Sequence, residues 1–266
     1  MTLGDRTVVI TGAAGGIGGA VARRCVDAGA RVAITDVRAD ELAASAAELG
    51  DGVFAAPCDL QDPEALPRFL AEAAERYGPV DVFIGNAGVA VGGDPISTPA
   101  DVWDLALDVN LRQHVAAARV LLPGWLERGE GWFVSVASAA GLLTQIGSAP
   151  YAVSKHAVVA FAEWLSVTYG DRGVHVTCVC PMGVATDMLE PGRPGALDDI
   201  GARVVKGAGP VIEADVVAAA IVGGLAGDQF LVLPHAEVLT YMQRKAGDYD
   251  RWLTGMRRLQ TQIADR

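Results

Sequence analysis

Ser138, Tyr151 and Lys155 are the residues of this chain best placed, by type and spacing, to do chemistry. Tyr151 and Lys155 stand four residues apart in Tyr-Ala-Val-Ser-Lys. On a helix both side chains rise from the same face. A phenol beside an ammonium is a proton-transfer pair, because the positive charge favours the phenolate and draws a tyrosine pKa down from about 10. Bringing that value to about 7 takes roughly 4 kcal/mol of differential stabilisation. The spacing occurs on many helices as an exposed pair, so a second signature is needed.

That signature is Thr11-Gly12-Ala13-Ala14-Gly15-Gly16-Ile17-Gly18. It follows an apolar strand-like run and opens into Ala20, Val21, Ala22 and Cys25, spaced as the inner face of a helix. A strand feeding a glycine-rich turn and then a helix N-terminus makes an anion site. The glycines admit a pyrophosphate to the backbone, and the helix dipole favours its charge. A second strand-like run ends in Asp36, 18 residues after Gly18. A carboxylate there can accept hydrogen bonds from a ribose 2′-hydroxyl.

The elements that must position these groups alternate along the chain. Strands are expected at 7–11, 31–35, 52–56, 80–85, 131–137, 174–180 and 229–233. Helices are expected at 16–29, 39–49, 63–77, 100–128, 150–172 and 213–227. Continuously apolar strands imply a sheet covered on both faces. The fold class is therefore α/β: a single-domain, Rossmann-type, doubly wound parallel sheet of about seven strands with a C-terminal helical tail. Every motif falls at a strand's carboxyl end, where such sheets bind ligands: the glycines, Asp36, Asp59, Asn86-Ala87-Gly88, Ser138 and Pro181. The catalytic and dinucleotide-binding domain is set at 1–234. An extension over 235–266 is expected to pack on the same domain or a neighbouring subunit, and a substrate contact from it is the less favoured reading.

Between 184 and 210 the periodicity fails. That segment reads as an irregular connection, with Met188, Leu189, Ile200 and Val204 suited to covering a greasy substrate. The helix at 150–172 is apolar almost all round, so one face suits the sheet and the other a second subunit. A homo-oligomer is expected, tetramer or dimer.

Net charge is −11 (21 basic against 32 acidic residues) and the pI is about 4.7. Such a surface repels nucleic acid and anionic membrane, while a local backbone nest can still hold an anionic cofactor. No run has the length of a membrane span. The first strand begins too early to leave room for a signal peptide, and a cytoplasmic protein is expected. Cys25, Cys58, Cys178 and Cys180 suggest neither a disulfide framework nor a metal site; Cys178 and Cys180 should point the same way within a buried strand.

Together these residues resemble the short-chain dehydrogenase/reductase family over about residues 3–234. Gly12, Gly16 and Gly18 match its Thr-Gly-x-x-x-Gly-x-Gly cofactor loop, which also contains Gly15 and Ile17. Asp59-Leu60 is similar to its adenine contact. Asn86-Ala87-Gly88 matches Asn-Asn-Ala-Gly, with Gly85 in place of the first asparagine. The resemblance maps a catalytic tetrad onto Asn110, Ser138, Tyr151 and Lys155. It implies that Tyr151 moves the proton and that Lys155 lowers its pKa and holds the nicotinamide ribose. It also implies that Ser138 bonds the substrate oxygen and that Asn110 keeps a water relay. Pro181, Val184 and Thr186 align with the groups that hold the carboxamide, and Met182 stands where relatives commonly have glycine.

Coenzyme choice is argued on charge. Asp36 would repel a 2′-phosphate, and Gly15 and Val37 are neutral, so NAD is expected despite Arg38. The implied pocket (Val89, Leu142, Leu143, Ile146, Met182, Met188, Leu189) has little charge and suits a hydrophobic secondary alcohol or its ketone. The alternatives are an NADPH-dependent ketoreductase of a biosynthetic pathway and a non-catalytic, dinucleotide-sensing regulator.

Overall fold

The computed structural model describes residues 1–264. Seven parallel strands form one sheet: β1 (Thr7–Thr11), β2 (Arg31–Thr35), β3 (Phe54–Ala55), β4 (Val82–Gly85), β5 (Gly131–Val136), β6 (Val174–Val179) and β7 (Leu231–Val232). Their order is β3-β2-β1-β4-β5-β6-β7. The order reverses between β1 and β4, which creates the crevice where doubly wound sheets bind ligands. β1, β4 and β5 are buried along their whole length, the signature of a sheet covered on both faces.

Ten α-helices complete the described chain: α1 (Gly16–Asp27), α2 (Ala39–Leu49), α3 (Ala65–Tyr77), α4 (Ala100–Leu107), α5 (Gln113–Arg128), α6 (Ala149–Tyr169), α7 (Asp199–Ala208), α8 (Ala214–Ala226), α9 (Glu237–Gly247) and α10 (Tyr249–Ala264). The sheet divides the core into two apolar layers. One joins Leu66 and Phe69 of α3, Leu121 and Trp125 of α5, and Val158 and Leu165 of α6. The other joins Val21 of α1, Leu42 of α2, and Val217 and Ile221 of α8.

The edge strands β3 and β7 are two residues long, against five expected for each. Only the central strands have neighbours on both sides to hold a full ladder. The single helix expected over 100–128 is broken by a π-turn at Asp108–Arg112. The segment expected to be irregular contains α7, whose N-terminus is capped by Asp198 accepting from the Gly201 amide at 2.6 Å. Among the described residues no helix is long and apolar enough to cross a membrane. The four cysteines are buried and free, and Cys178 and Cys180 point the same way with sulfurs 3.9 Å apart.

Candidate active site

The glycine loop packs on the 86–88 turn so closely that side chains are excluded. A Cβ on Gly12, whose φ is +66°, would lie 2.6 Å from Ala87 Cα. One on Gly18 would lie 2.2 Å from the Gly12 oxygen. Asn86 fastens this arrangement by donating from Nδ2 to the Thr11 and Gly12 carbonyls at 3.0 and 2.9 Å. Gly15, Gly16 and Ile17 begin α1, whose first turn has no carboxylate and no capping side chain. Its N–H donors and dipole are thus left to an anion. No neighbour lies within 4 Å of where a Gly15 Cβ would stand. This cradle fits a dinucleotide.

Asp36 directly follows β2 and is buried. It accepts from the Ala14 amide at 3.1 Å and from Arg38 Nε at 3.2 Å. Arg38 also reaches Asp187 at 3.5 Å. Asp59 is exposed and turns its carboxylate back onto the Gln61 amide, while Leu60 packs against the core.

Residues that follow β5 and β6 line a cavity of about 410 Å³. Ser138, Tyr151 and Lys155 all face it. Ser138 caps a short 3-10 turn, its hydroxyl accepting from the Ala140 amide at 3.1 Å. Tyr151 and Lys155 lie one turn apart on α6, which begins with Ser148 accepting from the Tyr151 amide. Lys155 Nζ donates to the Val136 carbonyl at 3.0 Å and lies 5.9 Å from the Tyr151 ring centre. Gly88 gives it room, since a Cβ there would stand 3.3 Å from Nζ.

The sequence led us to expect a tyrosine pKa drawn down by the lysine. In the structure burial pushes the Tyr151 phenol up, opposed by the Ser138 hydroxyl. Burial also pushes Lys155 down, to about 8. Desolvation is the largest cause for both groups. The phenol hydroxyl rests against Met188 Sδ at 3.9 Å.

Asn110 sits in the π-turn, completely buried. Its amide accepts from Val89 N at 2.8 Å and donates to Val89 O and Ser154 Oγ. The side chain therefore braces the turn beside Gly88. A π-turn aims one residue off the regular helical ladder, and such turns recur at functional sites.

Pro181, Val184 and Thr186 line the cavity with Met182, Met188, Leu189 and Leu143. Leu142 does not. It packs between two apolar clusters and offers its carbonyl to Lys245, so its place in the expected pocket is corrected. Val89 and Ile146 are likewise outside the lining.

Three groups escaped sequence reading. Gln113 ties the site's two loops together, accepting from Thr11 Oγ1 at 2.7 Å and donating to the Ala87 carbonyl. His235 accepts a hydrogen bond from the Met182 amide at Nδ1, so it is Nε2 that donates to the Gly183 carbonyl at 3.0 Å. The tail is the third, for Tyr241, Arg244, Trp252, Met256 and Leu259 all line the cavity. The tail packs on its own domain, with Val238, Tyr241 and Trp252 against Leu143 and Met182.

The family model described as short chain dehydrogenase matches residues 6–196. A 1-deoxy-11-beta-hydroxypentalenate dehydrogenase of Streptomyces avermitilis is 36% identical over 259 residues, covering 95% of this chain and 93% of the relative. A meso-2,3-butanediol dehydrogenase of Serratia marcescens is 34% identical, covering 78% and 82%. A crystal structure of a short chain dehydrogenase/reductase from Burkholderia phymatum in complex with NAD superposes with a TM-score of 0.85 at 26% identity, covering 94% of this chain and 96% of that one. The architecture is that of a Rossmann-type oxidoreductase. The chain belongs to the short-chain dehydrogenase family.

Proposed function

We propose that this protein is an NAD-dependent oxidoreductase that interconverts a hydrophobic secondary alcohol and its ketone. The observation that carries this reading is the convergence of Ser138, Tyr151 and Lys155 on one apolar cavity, which also reaches Ile17 of α1 and Thr186. Two relatives are named for hydroxylated substrates, one a hydroxy acid and one a diol, and the structural relative holds NAD.

The glycine loop, the first turn of α1, Asp36, Asp59, Leu60 and the 86–88 turn would hold the dinucleotide. Pro181, Val184 and Thr186 would hold its carboxamide. When bound, the nicotinamide supplies or takes up hydride at the carbinol carbon. The chain's own residues orient the substrate and move its proton. In oxidation the Tyr151 phenolate takes the proton from the alcohol oxygen and becomes the phenol, in reduction the phenol gives it to the ketone oxygen, and Ser138 donates a hydrogen bond to the same atom. Lys155, at about 8, is mostly protonated at neutral pH and stabilises the phenolate as it forms. Asn110 keeps the turn over Lys155 in place.

Asp36 favours NAD over NADP, because a 2′-phosphate would meet a buried carboxylate. Arg38 does not reverse this; its guanidinium is already engaged by Asp36 and Asp187.

The test is initial rate with NAD and NADP against alicyclic and aromatic secondary alcohols, for the wild type and Tyr151→Phe. We expect turnover with NAD, reduced about 100-fold or more in the variant. A variant that kept most of its turnover would sink the mechanism. Preference for NADP would favour a biosynthetic ketoreductase. NADH binding with no turnover of any alcohol or ketone would favour a sensing role.

A further inference from the structure

The chain carries 32 acidic and 21 basic residues, yet its substrate cavity shows the opposite balance. Two charged side chains line it, Lys155 and Arg244, and both are cations; no Asp or Glu is among the lining residues. Lys155 is spoken for by the Val136 carbonyl and the proton chemistry. Arg244 is not. It projects from the last turn of α9 at an exposed position, and among the described residues its guanidinium has neither an ion pair nor a hydrogen bond. Arg6, Arg24, Arg38 and Arg68 are paired with carboxylates, and of the exposed arginines without such a pair Arg244 is set apart by lining the cavity. The neighbours of Arg244 on the same helix are engaged too. Tyr241 donates to the Ala208 carbonyl at 2.9 Å and Lys245 to the Leu142 carbonyl at 2.7 Å.

A second observation lies on the next helix. Trp252 of α10 also lines the cavity, and its indole Nε1 is buried with no hydrogen-bond partner. A buried N–H without an acceptor is costly, so native structures seldom leave one unexplained. The tail thus brings to one apolar cavity a free guanidinium and a free N–H, both donors. The indole lacks an acceptor of any kind, and the cationic guanidinium is best matched by one that carries negative charge.

Resting on the alcohol–ketone reading above, we propose that the substrate is a hydroxy or keto carboxylic acid with an apolar body, and that Arg244 holds its carboxylate. The guanidinium fork matches a carboxylate with two parallel N–H···O bonds. A phosphate dianion fits less well, since one guanidinium leaves its second charge unmatched on a chain of net charge −11. The apolar lining (Leu143, Met182, Met188, Leu189, Leu197, Val205) takes the body of the molecule. Specificity for the acid thus comes from the C-terminal helices, beyond the stretch 6–196 that the family model matches.

The test is calorimetric binding of adamantane-1-carboxylate and its neutral near-isostere, adamantane-1-carboxamide, to the NADH-loaded protein. The wild type is expected to bind the carboxylate about 10- to 100-fold more tightly than the carboxamide, the range a charge-assisted hydrogen-bonded pair supplies. Arg244→Gln should bind both probes alike, and Arg244→Lys should recover part of the preference. Equal wild-type affinities, failure of the carboxylate to bind, or a preference that survives in Arg244→Gln would each overturn the proposal. Binding is read without turnover. A chain that transferred no hydride would fail the alcohol–ketone reading and leave this result legible, and turnover of neutral alcohols with no carboxylate preference would fail this inference alone.

Discussion

Gly85 and His114 share one space. Where the resembling family has asparagine, the glycine leaves a gap that the imidazole fills; a Cβ at 85 would stand 2.4 Å from His114 Cε1. His114 is fully buried, faces Ser135 Oγ across 3.3 Å and leaves Nε2 without a partner. Burial, aided by the charge of Lys155, pushes its pKa from 6.5 to about 3. The folded value lies below the unfolded one, so the neutral form is favoured by folding. The resulting stability is complete above pH 6.5 and is lost as pH falls from there through about 3. At roughly 1.4 kcal/mol per unit, about 3 kcal/mol should be gone by a pH about two units below the unfolded value. Urea unfolding of the wild type and His114→Gln near pH 7 and pH 4.5 checks this. The variant should lose less stability between the two, and parallel losses would refute the assignment. At this scale the glycine loop and the grouping of Ser138, Tyr151 and Lys155 were legible in the sequence, because a tight strand-to-helix turn demands glycine and one helical turn brings Tyr151 and Lys155 to the same cavity. Gln113 and His235 were not legible. Neither stands in a motif, Gln113 lying between Arg112 and His114, and only the fold shows which groups each must satisfy.

Central strands and long helices were legible because their apolar period is set by burial on both faces of the sheet. The π-turn and α7 were not, and the placement of α9 and α10 was not; each is set by a tertiary partner. The π-turn between α4 and α5 leaves the apolar pattern intact while shifting Asn110 onto Val89. α7 is ten residues long and contains Gly201 and Gly207, too short and too poor in helix formers to stand alone. It holds because Asp198 caps it and because its Ala202 and Val205 pack in one cluster with Tyr151 and Leu189. α9 and α10 showed their amphipathic spacing, but the surface they cover, Leu143 and Met182 at the pocket wall, cannot be read from spacing. Two hydrogen bonds fix α9 there, Tyr241 to Ala208 on α7 and Lys245 to Leu142 beside the Ser138 turn. Removing both with Tyr241→Phe and Lys245→Met should cost about 1–3 kcal/mol of stability. It should also raise KM for a bulky substrate several-fold, while KM for the dinucleotide stays unchanged. Thermal unfolding and steady-state kinetics measure the two effects. If both KM values rose together, the tail would be supporting the whole sheet rather than the substrate wall.

The outer sides of α5 and α6 leave several large apolar side chains in water. On α6, Val153, Trp164 and Val167 are 50%, 54% and 88% exposed, and Val115 and Val120 add to it from α5. Inside, the same helices bury Val158, Ala162, Leu165, Ala117 and Leu121 against the sheet, so their inner faces are already satisfied. Scattered surface valines would need no explanation. Here they gather on neighbouring helices of one layer, beside a tryptophan packed edge-on against Tyr169, on a chain otherwise rich in exposed charge. Pairing these helices across a two-fold axis would bury the face in both copies at once, and a self-complementary patch is what such an axis requires. An interface of standard size, about 800 Å² on each partner, would be enough to hold it. Light scattering should therefore give a mass that is a multiple of 27.5 kDa. Trp164→Glu with Val167→Glu should lower it by placing two carboxylates on each side of the axis, where like charges oppose one another without water between them. The catalytic cavity is lined by none of these residues, so turnover per chain in the dissociated variant reads whether assembly also supports the site. A wild type that ran as a single chain at micromolar concentration would show that this face is left to water.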